Sequence, residues 1–151
     1  GSQVISMNLT GKNASYLTLI DLKGNQDRML VFIECPIKVP EPARPSIAEL
    51  LMRINYTLAL GNLELDFRDG EVRYRMSVDV EGSALSLRMI ETNIMVSAST
   101  MDRCFPAILT CIYGGKAPAE AFEEARARLD GGDRANPNRA DGGDGAVPTE
   151  Q

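Results

Sequence analysis

The stretch spanning residues 54–82, INYTLALGNLELDFRDGEVRYRMSVDVEG, narrows the possible folds more than any other part of the chain. Leu63, Leu65 and Phe67 alternate with charged residues, and Val72, Tyr74, Met76, Val78 and Val80 continue the alternation. A period of two sends one set of side chains to each face of a strand. Between the two runs stands Asp69-Gly70, a strong signal for a two-residue hairpin. With these residues at the centre of the turn, Phe67 faces Val72, Asp66 faces Arg73, Leu65 faces Tyr74 and Glu64 faces Arg75. Every charged pair is then of opposite sign, and each such pair stabilises by ~0.2–1 kcal/mol. A one-residue slip would turn the apolar set toward water, so the pattern specifies its own register. Glu64 and Asp66 read as a solvated face neutralised by Arg73 and Arg75, not as a catalytic acid pair.

The flanking sequence supplies the remaining elements. Residues 3–9 alternate with Ile5, Met7 and Leu9 on one side, residues 15–22 form a second strand, and residues 29–37 a third. The third is apolar on both faces up to Glu34 and is expected at the centre of the sheet, fraying at Pro36. Pro40, Pro42 and Pro45 make a stiff connection to a helix that Ser46 and Glu49 would open as a capping box. Ile47, Leu50, Leu51 and Ile54 form its apolar stripe. After Gly82 the period becomes helical, with Ser83 as a candidate cap. A second helical run follows Ser99-Thr100, carries Pro106 and stops at Gly114-Gly115. A last helix begins at Pro118 and is expected to end at Gly131-Gly132. The pattern is α+β, an antiparallel sheet packed with helices in the order β-β-β-α-β-β-α-α-α, over residues 3–130. Residues 131–151 are rich in Gly, Asp, Asn and Pro and are expected to be a disordered tail. Gly1-Ser2 reads as a cloning remnant, with natural residues expected ahead of it.

Composition restricts the chemistry. There is no histidine, which removes the usual proton shuttle and the commonest metal ligand. Cys35, Cys104 and Cys111 have neither disulfide-framework nor zinc spacing. They read as buried thiols and suit a reducing, cytoplasmic setting. A net charge of -5 argues against binding nucleic acid through its phosphates. No apolar run is long enough to span a membrane. No phosphate-binding or nucleophile motif is present. Catalytic, cofactor-binding and metal-binding residues are therefore all expected to be absent, and a protein-binding role is expected. Leu85, Met89, Met95 and Met101 are the candidate contact residues, since flexible thioethers suit adaptable apolar contacts. A homodimer is expected through this region, or failing that through the edge strand 3–9. The alternative is a regulatory domain that holds a small apolar ligand in a groove.

Several segments together resemble a known family. PSIAELLMRINYTLALGNLELDFRDGEVRYRMSVDVEG followed by MDRCFPAILTCIYGGKAPAEAFEEA is similar to the YbjN family of bacterial proteins, also called sensory transduction regulators. Asn55-Tyr56, Gly61-Asn62, Leu65-Asp66-Phe67, Asp69-Gly70-Glu71 and Phe105-Pro106 stand in the family's order. The resemblance implies a fold like that of type III secretion chaperones, often dimeric, and a chaperone-like or adaptor role in binding proteins. It carries no catalytic residues. In the family a helix usually precedes the first strand, whereas here the chain enters the strand almost at once; either that helix belongs to the natural residues expected ahead of Gly1 or this member lacks it, and its absence would leave an exposed apolar patch.

Overall fold

The computed structural model describes residues 2–23, 28–80, 82 and 84–134. Strands β1 (Ser2–Thr10), β2 (Ser15–Lys23) and β3 (Arg28–Lys38) are followed by helix α1 (Arg44–Asn55). Strands β4 (Asn62–Leu65) and β5 (Glu71–Asp79) come next, then α2 (Leu87–Tyr113) and α3 (Pro118–Arg134). The five strands form one antiparallel sheet in the order β1-β2-β3-β5-β4, so the apolar β3 is central as its composition requires. The element order follows the expected one, with the two helical runs after Gly82 joined into the single α2.

Helices cover one face of the sheet. Tyr16, Ile20, Met29, Val31, Ile33, Leu63, Val72, Tyr74 and Met76 alternate along their strands onto that face and are buried. They meet Ile47, Leu50, Leu51 and Ile54 of α1, the whole of the stripe read from the sequence. The opposite face is where the regular charges lie. There the guanidinium groups of Arg73 and Arg75 lie 4.6 and 5.8 Å from the ring centre of Phe32. Glu64 holds both arginines, accepting from Arg73 Nε at 2.7 Å and pairing with Arg75 Nε at 3.0 Å. The charge pattern thus covers an aromatic ring on the uncovered side of the sheet.

The hairpin differs from expectation by two residues. Leu65 pairs with Val72 and Glu64 with Arg73. The turn is longer than two residues because Asp66 organises it. Its carbonyl accepts from Gly70 N–H at 2.8 Å, and its carboxylate accepts from Arg68 N–H at 2.9 Å. A shift of two preserves the alternation, so Val72 and Tyr74 still enter the core. Phe67 falls in the loop and is 57% exposed, and Asp66 pairs with Arg68 instead of Arg73.

Helix boundaries also moved. Helix α1 starts at Arg44 with Pro45 in its first turn, and Ala43 ahead of it makes no side-chain cap. Ser46 therefore lies inside the helix, and Glu49 accepts from Arg53 one turn on. Pro36 does not end β3; the register shifts between Glu34 and Lys38, and pairing resumes at Lys38 opposite Glu71. The cap of α2 is Ser86, whose hydroxyl accepts from Met89 N–H at 3.2 Å. Ser83, the expected cap, lies outside the described residues. Helix α3 continues past Gly131 to Arg134, since glycine costs a helix about 1 kcal/mol relative to alanine without forbidding it. Most of the expected tail, residues 135–151, lies outside the described residues.

The two edges of the sheet are built differently. At the β4 edge, Asn55 at the end of α1 turns its side chain onto the strand. Its Oδ1 accepts from Leu63 N–H at 2.8 Å, and its Nδ2 donates to Leu63 C=O at 2.9 Å. The amide thus acts as a one-residue mimic of a neighbouring strand. At the other edge, β1 packs chiefly against β2.

Candidate protein-binding surface

The structure separates the four candidate contact residues. Met89 and Met95 lie on the surface of α2, 37% and 63% exposed, beside exposed Leu87. Leu85 precedes the helix and packs at the rim of the core. Met101 is 0% exposed and belongs to the core, so it cannot contribute to a contact surface. The reason is the path of α2, whose residues 100–108 lie against the sheet. Phe105 meets Tyr16 edge to face, with ring centres 6.1 Å apart.

Asp102 fixes this path. Its carboxylate accepts from the backbone N–H groups of Lys12 and Asn13, both at 2.9 Å, and from the Tyr16 hydroxyl at 2.7 Å. Pro106 completes the arrangement. Proline has no N–H to give to the carbonyl four residues back, which is that of Asp102. Asn13 Nδ2 donates to this freed carbonyl at 2.8 Å. One residue of α2 therefore holds the β1–β2 turn by both its side chain and its backbone. Burial pushes the Asp102 carboxyl up, but the Tyr16 hydroxyl and the turn's N–H groups outweigh it and hold the group below the usual carboxylate range. Gly11 is required in this turn, because a Cβ there would lie 2.4 Å from Asp102 Oδ1.

Met95 stands seven residues before Asp102, about two helical turns, and so lies on the same side of α2, toward the β1–β2 hairpin. On β1, Ile5 pairs with Ile20, Met7 with Thr18 and Leu9 with Tyr16. These partners put Ile5 and Met7 on the helix-bearing face, yet they remain 45% and 36% exposed. The helix layer stops short of β1. The sequence reading placed Ile5 and Met7 on one side of a strand; their exposure follows from the edge position of β1, which alternation alone does not specify.

A groove of about 370 Å³ lies beside the hairpin, lined by Glu64, Leu65, Asp66, Phe67, Arg68, Glu71 and Arg73. Its lining is mostly charged, and its carboxylates Glu64 and Asp66 are ion-paired. The bond from Arg68 holds Asp66 down to about 2. Among the described residues, no three His, Cys, Asp or Glu side chains stand close enough to hold a metal ion. The three thiols are free and buried, and burial pushes Cys35 up to about 11 and Cys104 up to about 12. None of the described helices is long and apolar enough to cross a membrane.

These features define an α+β domain with helices on one face of an antiparallel sheet, an apolar helix start and, among the described residues, an edge strand β1 paired on one side only. The chain belongs to the YbjN family, whose model, described as "Putative bacterial sensory transduction regulator", matches residues 3–110. That match runs from β1 through most of α2. No curated protein and no solved structure matches the chain.

Proposed function

We propose that this chain is a non-enzymatic regulatory domain that acts, as a chaperone-like or adaptor protein, by binding other proteins. The observation that carries this reading is the exposed apolar start of α2, where Leu87, Met89 and Met95 remain at the surface. Thioethers adapt to varied apolar partners at little cost in strain. Membership of a family of regulators supports the same role. The reduced, buried thiols suit a cytoplasmic setting. The charged lining of the hairpin groove gives no support to a small apolar ligand, which would need an apolar pocket.

The test is a comparison of proteins captured from the native cell by the chain and by a Met89→Glu, Met95→Glu double variant. The variant is expected to lose its partners with unchanged circular dichroism, because both side chains are already partly in water. Capture of the same proteins by both would place the contact elsewhere and defeat the reading. Unfolding of the variant would show that the two methionines hold the core.

A further inference from the structure

We propose that β1 is a self-association edge, which pairs antiparallel with β1 of a second copy about a two-fold axis through Ser6. The strand lacks the usual devices that block an open edge. From Ser2 to Thr10 it contains no charged residue, no proline and no glycine, and its pairing with β2 runs through nine residues without a bulge.

The direction of its free backbone groups can be read from the turn. Gly11 N–H donates to Ala14 C=O at 2.8 Å, which makes residues 11 and 14 a hydrogen-bonded pair. Such pairs recur at every second residue of an antiparallel ladder. Leu9, Met7, Ile5 and Gln3 therefore direct their backbone groups to β2. Thr10, Asn8, Ser6 and Val4 direct theirs away from the sheet.

Of the registers in which a second copy can fit this edge, the one centred on Ser6 uses all nine residues of the strand. The outward residues must pair with outward residues. With Ser6 opposite Ser6 of the second copy, Val4 falls opposite Asn8 and Asn8 opposite Val4, and the whole strand is used. On the helix side Ile5 then lies opposite Met7 of the second copy, and Met7 opposite its Ile5. The exposed apolar pair is its own complement, as an isologous contact requires. A foreign strand would be selected by charge or by shaped pockets, and β1 offers no charge for such selection. The other edge of the sheet is unsuitable, because the Asn55 amide already occupies Leu63. The pairing is made by β1 alone and needs neither Leu87 nor Met89, so its failure and that of the α2 surface are distinguishable.

The test is sedimentation of the full chain over a range of concentrations, with three variants. Ser6→Pro removes an outward N–H and leaves the β2 ladder intact; it is expected to weaken dimerisation about tenfold or more while circular dichroism stays native. Ser6→Cys is expected to cross-link the dimer in oxidised glutathione, since directly opposed residues lie within disulfide reach. The native thiols are buried and should not compete. Asn8→Cys is expected not to cross-link, because its counterpart would be about 14 Å away along the strand. A chain that stays monomeric throughout overturns the proposal and leaves the edge to another protein. So does a dimer that cross-links through neither cysteine, or equally through both.

Discussion

Replacing Asp102 with alanine is expected to destabilise the protein by about 3 kcal/mol. Three donors lose a charged acceptor, each bond contributing ~1.5–3 kcal/mol, and water can recover part of the loss at the exposed Lys12–Asn13 turn. For a chain of this size the thermal midpoint should fall by about 6–12 °C. The effect should depend on pH. Asp102 is held below the ordinary carboxylate value, near 3.9, so its contribution is complete above about pH 4 and fades as pH falls through the folded value. Melting curves of wild type and Asp102→Ala should be well apart at pH 7 and draw together in acid. A gap that persists unchanged at low pH would show that packing, not the charge, supplies the stability.

Gly70→Ala is expected to cost about 2–4 kcal/mol. Gly70 has φ of 82°, and a Cβ there would lie 2.1 Å from the Val39 carbonyl oxygen. The left-handed conformation alone costs a non-glycine residue ~1–2 kcal/mol. The obstruction is backbone and cannot swing aside, so the Val39 N–H bond to Gly70 C=O would also be strained. Gly115 is the control. Its φ of 65° is similar, but a Cβ there meets nothing within 4 Å. Urea unfolding should show Gly115→Ala losing only the conformational part, about 1–2 kcal/mol. Equal losses at the two positions would mean that the contact with Val39 relaxes freely.

These two glycines also show what could be read from the chain. Alternation identified the sheet and the inward residues of β5, because burial on one face leaves a local mark at every second position, and the apolar run on both faces of β3 marked the central strand. It did not give the length of the turn. Asp69-Gly70 has the composition of a two-residue turn, but Gly70 is claimed by Val39, some thirty positions away, and Asp66 by its own loop. The capping box at Ser46 failed for a related reason: Pro45 suits a first helical turn, and a helix started there leaves Ser46 inside it. Met89, Met95 and Met101 look alike in sequence. Only the path of α2 separates the exposed pair from the buried one, and that path is set by Asp102 and Asn13, which lie 89 residues apart. Pro106 was the available clue, since a proline within a helix leaves the carbonyl four residues back in need of a donor. For the surface itself, the sequence marked Ile5 and Met7 as one side of a strand. Their exposure depends on where the helix layer ends, which no local pattern records.

The Asn55 amide has a consequence for stoichiometry. A sheet with two bare edges can add neighbours at both ends and grow into a fibre. Here the Asn55 side chain of the same molecule already takes both backbone groups of Leu63 at the β4 edge, which disfavours growth there. If copies pair through β1 as proposed, that single asparagine would favour a finite pair over a polymer.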